Sequence, residues 1–166
     1  RQRLYRHHAD LPDSVEAYRR LLAQANDNSI TIYAAGQLYN FEALLQTTAD
    51  QYSDMPGAEL LARKVERFVF MGGYFPNSLF NEWYQKNTDG AEWNWWGFGS
   101  KGTTATVLPA ITAMGRPVTY VGAEQGVRVL VGKEMAARLD RDHPTTEAFL
   151  LSSFLTTDDD PGAVGA

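Results

Sequence analysis

The sequence contains no cysteine and only three histidines. Without cysteine there is no disulfide framework, no thiolate zinc site and no sulfur nucleophile. That composition fits a reducing compartment and favours a cytoplasmic over a secreted setting. His7 and His8 are adjacent. Adjacent residues share neither a helix face nor a strand face, so a solvated arm is expected there rather than a joint metal site. His143, before Pro144, reads as a surface residue rather than a general base, and no Ser-His-Asp or Cys-His arrangement can be built. No apolar run reaches membrane-spanning length, and the opening RQRLYRHHADLPD lacks the apolar core of a signal peptide. Nor is there a basic excess. With a net charge of −5 and no stripe of lysine and arginine, nucleic acid is excluded as the main partner. Internal repeats are absent too.

What is present is ordinary globular composition: 166 residues, 44% apolar and 21% charged, enough for one domain with a real core. The chain opens on Arg1 instead of methionine, as a processed or excised piece of a longer protein would. One domain spanning residues 1–166 is expected, incomplete, with flexible ends at 1–12 and 156–166.

The centre of the chain is the stretch from Phe68 to Asn94. Phe68, Val69, Phe70 and Met71 read as a buried strand that breaks on Gly72-Gly73, as a central parallel strand does where it turns sharply. Some twenty residues without steady apolar period follow, up to Ala91-Glu92-Trp93-Asn94. Long irregular loops in compact domains tend to carry function. Around this centre, Asp13 with Glu16 three residues on is a capping-box pattern for a helix to about Ala25, burying Val15, Tyr18, Leu21, Leu22 and Ala25. Ser29 to Ala35 reads as a strand ending at Gly36, after which Asn40 can cap a helix carrying Phe41, Ala43, Leu44 and Leu45. A helix over roughly Gly57 to Val65 precedes the central strand. Thr103 to Met114 is helical in content but should kink or split at Pro109. Val118 to Val121 is a third strand, ending at Gly122, with short helices expected near Lys133 to Leu139 and Thr145 to Leu155.

This alternation implies an α/β fold, a parallel sheet covered by helices. Parallel strands joined by helical crossovers present all their carboxyl ends on one edge. Gly36 to Asn40, Met71 to Gly73 and Gly122 to Glu124 should therefore converge, where ligands of open α/β sheets sit. A polar pocket of Asn40, Glu92 and Asn94 would suit a polyhydroxylated ligand; the plainer alternative leaves Asn40 as a cap and Glu92 solvated. All four tryptophans (Trp83, Trp93, Trp95, Trp96) fall in the loop, most expected to pack it and one or two to line a site. Gly97, Gly99 and Gly102 in GFGSKG faintly suggest a phosphate cradle, without the required spacing after a strand. The run Asp158-Asp159-Asp160 reads as solvated, with a hard cation as the alternative.

Four of these segments resemble one known family. GQLYNFEALL is similar to the G-x-L-T-N turn of the inosine-uridine preferring nucleoside hydrolases. KVERFVFMGGYFP resembles their strand ending in Met-Gly-Gly, GAEWNW their A-E-F-N motif, and PVTYVGAEQGVRVLVG the strand and turn that follow. The resemblance, over about residues 13 to 140, implies the parallel-sheet, Rossmann-like nucleoside hydrolase fold in partial form, and hydrolysis of the N-glycosidic bond of ribonucleosides. It further implies a calcium ion holding the ribose hydroxyls and an attacking water, with an aspartate as base. Tyr39 stands where a main-chain carbonyl ligates calcium. Met71 would lie under the ribose, with Glu92 and Asn94 on its hydroxyls. Asn87 is the nearest match to a further asparagine of the motif, one residue out of place.

The departures are equally specific. The family's D-x-D-x-x-x-D-D cluster, which supplies metal ligands and the base, occurs nowhere in this sequence. WGFGSKGTTA stands in place of D-P-x-A-A, and Asp160-Pro161 only loosely imitates the late metal aspartate. No catalytic residue is thus assigned. A nucleoside or other ribose-containing small molecule is the expected partner, and little or no hydrolysis is expected from these residues alone. The alternative is a non-catalytic carbohydrate-binding or pseudoenzyme module using the tryptophan-rich loop. A sheet lacking its first strand is expected to be unstable or to form a homo-oligomer.

Overall fold

The computed structural model describes residues 11–74, 92–126 and 143–146. Within them the chain is α/β. Helix α1 (Ser14–Gln24) leads to strand β1 (Ile30–Ala35); α2 (Tyr39–Leu45) and α3 (Gly57–Lys64) lead to β2 (Val65–Met71). Helix α4 (Lys101–Ala113) then leads to β3 (Val118–Val121) and the short α5 (Ala123–Gly126). The strands form one parallel sheet in the order β1-β2-β3. The helices expected near Lys133 and the run Asp158-Asp159-Asp160 lie outside the described residues, as do His7 and His8. Residues 144–146 are helical, and His143 Nδ1 accepts the Thr145 N–H at 3.3 Å.

A strand order that steps in one direction, with right-handed crossovers, sends every connection over the same face. The core shows it. Ile32, Phe68 and Phe70 on the sheet pack with Leu22 of α1, Phe41 and Leu44 of α2, Leu60 and Leu61 of α3, and Val107 and Ile111 of α4. The register pairs Ala34 with Phe70 and Phe70 with Tyr120. Phe68, Phe70 and Tyr120 consequently stack in one aromatic row on this face. Side chains alternate along a strand, so Thr31, Tyr33 and Ala35 point the other way, and all three are exposed. Tyr33 is 63% exposed.

Three local expectations are corrected. Leu21 is 61% exposed, while Arg19 is 2% exposed. The side of α1 facing the α2–α3 connection is lined with acceptors and therefore takes a guanidinium. Arg19 pairs with Asp50 through Nε and Nη2, and donates to Thr47 Oγ1 at 2.8 Å and to the carbonyls of Ser53 and Met55 at 3.2 and 3.0 Å. Leu21, two residues on, falls on the far side of the helix. Second, Asp13 does cap α1, accepting from Val15 and Glu16 N–H at 2.8 and 3.1 Å. Glu16 does not complete the box, because its carboxylate accepts the Tyr52 hydroxyl instead. Third, α4 runs through Pro109. Pro109 and Ala105 are both exposed, so the carbonyl that proline leaves without its helical donor can be solvated.

The Arg19–Asp50 pair gives a pH-dependent stability. The Arg19 guanidinium, with the N–H groups of Tyr52 and Ser53, holds the Asp50 carboxyl at about 2. Its unfolded value is near 4. A depressed carboxyl contributes stability that is complete above about pH 4 and is lost as pH falls towards 2. Urea denaturation between pH 7 and pH 2 is expected to show this loss, and Asp50→Asn to flatten it. Arg19→Met is expected to lower stability at pH 7, since it leaves the Asp50 carboxylate, the Thr47 hydroxyl and the Ser53 and Met55 carbonyls without this donor.

Candidate functional site

The carboxyl ends of the three strands meet in one hydrogen-bonded knot, with Glu92 at its centre. Its carboxylate is buried, 5% exposed, and accepts three backbone N–H groups. Oε2 takes Gly73 N–H at 2.8 Å and Trp95 N–H at 3.0 Å, and Oε1 takes Asn94 N–H at 2.9 Å. A carboxylate offers about four lone-pair sites, so at most one remains for a ligand. Asn94 Nδ2 donates to the Met71 carbonyl at 3.0 Å and contacts Met71 Sδ at 2.8 Å. The end of β2 is joined to β3 through Gly72 N–H to Val121 O at 3.0 Å and Ala123 N–H to Gly73 O at 2.9 Å. The turn after β1 joins the same loop: Gln37 Nε2 donates to Trp93 O at 3.3 Å and Tyr39 Oη to Phe98 O at 3.0 Å.

Gly72-Gly73 is explained by Trp95. A Cβ on Gly72 would come within 2.2 Å of the Trp95 indole nitrogen, and one on Gly73 within 2.8 Å of its ring. Gly73 also has φ of +68°, a conformation that glycine adopts without penalty. The indole lies across the strand end and meets Tyr120 edge-on, ring centroids 5.6 Å apart. The glycines thus give the tryptophan its seat.

Beside this knot lies a cavity of about 580 Å³, lined by Gly73, Tyr74, Glu92, Trp95, Trp96, Lys101, Thr104 and Ala105. Of the residues expected to bind ribose, Glu92 lines it. Met71 and Asn94 belong to the same network but not to its wall. Phe70 belongs to the core face, so its neighbour Met71 turns towards the opposite face. Tyr39 is the first residue of α2, where its carbonyl points along the helix towards the N–H four residues on. Asn87 lies outside the described residues, as does Trp83.

Asn40 does not cap α2. Leu38 occupies the cap position without a side-chain bond, and Asn40 is inside the helix, its Oδ1 accepting the Ser14 hydroxyl at 3.1 Å. It lines a separate hollow of about 230 Å³ with Tyr33 and Gln37. A single pocket of Asn40, Glu92 and Asn94 therefore does not form. Among the described residues no three acidic or histidine side chains converge to hold a metal ion. No such group is gathered at Tyr39 among the described residues.

No family model, curated protein or solved structure matches this chain. No helix among the described residues is long and apolar enough to cross a membrane.

Sequence reading missed Lys101, Thr104 and Ala105 in the cavity wall. The available signal was the segment WGFGSKGTTA, which departs from D-P-x-A-A and supplies those three together with Trp96. Its glycines form a 3-10 turn (Gly97–Gly99) opening α4, with the Lys101 ammonium 4.2 Å from the Trp96 ring centroid. Lys101 therefore comes to the cavity from a helix start rather than from a phosphate loop after a strand.

Gly72→Ala is expected to destabilise the protein by roughly 1–3 kcal/mol through overpacking and to shift the tryptophan fluorescence. Combined with Trp95→Ala, it should cost much less than the sum of the two single changes, because the clash is with that ring. A double-mutant cycle by urea denaturation measures both.

Proposed function

We propose that this chain is a nucleoside N-ribohydrolase-like α/β domain whose carboxyl-edge cavity binds a ribose-containing small molecule. One observation carries the reading: the Glu92 knot unites Met71, Asn94 and the loop beyond Tyr39 beside a cavity of about 580 Å³. That volume falls in the range of roughly 300–1,000 Å³ typical of small-molecule sites. The Trp96 face offers stacking area, and Thr104 and the last acceptor site of Glu92 offer polar contacts for hydroxyls. In this reading calcium is the ion that the resemblance calls for. No step is assigned to it, because among the described residues no group of acidic side chains gathers to hold it. Hydrolysis is not expected from these residues alone, because the sequence holds no aspartate cluster of the kind that supplies the base.

The second reading, a carbohydrate-binding module without catalysis, is favoured by the exposed aromatics of the same loop. Trp93, Trp96 and Phe98 are 55%, 52% and 76% exposed, and the Trp93 and Phe98 rings lie 5.0 Å apart. Titration calorimetry with ribose, inosine and short glycans, each with calcium and with a chelator, separates the two. Binding of ribose and inosine without release of free base is the expected result. Glycan binding indifferent to the chelator would support the second reading, and release of base from inosine or uridine would overturn the expected inactivity.

A further inference from the structure

The cavity wall carries one feature that a neutral nucleoside does not use. Lys101 is the only cationic side chain lining the cavity among the described residues. The other described cations near the core are already engaged: Arg19 with Asp50, Arg63 and Lys64 with Asp27, and Arg116 with the Ala62 carbonyl. Lys101 has no oxygen partner among the described residues. Its ammonium sits against the Trp96 face, which holds the charge in place while leaving its N–H donors unused. Thr104 and Ala105, one turn along α4, line the same wall.

The one acid in the wall among the described residues does not cancel this charge. Glu92 is 5% exposed, and its negative charge is spread over three N–H donors of Gly73, Asn94 and Trp95. The Ser100 hydroxyl donates to the Asn94 carbonyl at 3.4 Å and caps nothing, so the positive end of α4 adds to the field of Lys101. The cavity therefore has a polar, acceptor-bearing corner at Glu92 and a cationic corner at Lys101. Its volume exceeds what a pentose ring alone fills.

We propose that the ligand is a phosphorylated ribosyl compound, a sugar phosphate or nucleoside monophosphate, with its phosphate at Lys101. This rests on the ribose reading above. Lysine acts as a point-charge phosphate binder and needs no bidentate geometry. The segment that places it, WGFGSKGTTA, also supplies Trp96, Thr104 and Ala105 to the same wall.

The test is calorimetry on the full chain at low ionic strength, with ribose, ribose 5-phosphate, inosine, inosine 5′-monophosphate and inorganic phosphate. Each phosphorylated ligand is expected to bind at least about tenfold more tightly than its neutral counterpart. The preference should vanish in Lys101→Met, persist in Lys101→Arg, and shrink as salt is raised. Lys101 is exposed, so both variants should fold, as matching urea midpoints would verify. Equal binding of ribose and ribose 5-phosphate, or a phosphate preference that survives Lys101→Met, overturns the proposal. Ribose and inosine that bind while phosphate adds nothing would sink the anion site and leave the ribose reading standing. Inorganic phosphate that binds through Lys101 as tightly as ribose 5-phosphate does would sink the ribose reading and keep the anion site.

Discussion

The carboxylate of Glu92 holds the carboxyl edge of this sheet together. Burying a charge is costly unless donors surround it. Here the donors are three backbone N–H groups from two separate segments, Gly73 at the end of β2 and Asn94-Trp95 in the loop. Charge-assisted bonds of this kind contribute about 1.5–3 kcal/mol each. Together they pin the segment 92–100, which consists of turns and one 3-10 turn. The rest follows from that anchor. With the loop pinned, Asn94 reaches Met71, Trp95 lies over Gly72-Gly73, and the Thr104 hydroxyl donates to the Trp95 carbonyl at 2.9 Å. Helix α4 is thereby fixed against the strand ends. A cavity wall made from loop and helix together exists because the clamp sets their relation.

The sheet imposes the second constraint. Its order rises steadily from β1 to β3, so the described helices share one face with the aromatic row of Phe68, Phe70 and Tyr120. Parallel sheets are ordinarily covered on both faces. The exposed positions Thr31, Tyr33 and Ala35 leave the second face with a surface of mixed polarity rather than a solid apolar one. The described part of the sheet is therefore stabilised mainly from one side. The buried Arg19 network and the tie of the α1–β1 turn to α3, through Asp27 with Arg63 and Lys64, supplement the apolar core there.

The strands and most helices were legible because period and punctuation agree. Val118 to Val121 was read with its observed bounds, and Asp13 was read as a cap. Several of the misses share a cause, a partner distant in sequence. Arg19 is buried because acceptors 28 to 36 residues away need a donor, so apolar spacing pointed to Leu21 instead. Asn40 has cap chemistry, but the helix begins one residue earlier and the Ser14 hydroxyl takes its oxygen. Glu92 was singled out as a ligand-binding group. Its spacing could not reveal that three main-chain donors would occupy it. The convergence of three turns at one edge, by contrast, follows from parallel topology alone, and could be read without any side-chain detail.

The same clamp bears on how Glu92 could act on a ligand. A carboxylate committed to three main-chain donors is held in one orientation by the backbone. It remains a good fixed acceptor, with one lone-pair direction free and an orientation set by the backbone. Lys101 stands in the opposite condition, exposed and held by a ring face rather than by hydrogen bonds. A ligand meeting both would find a rigid acceptor at one end and an adaptable cation at the other. That asymmetry favours a molecule whose hydroxyl-bearing part needs exact placement and whose anionic part tolerates movement.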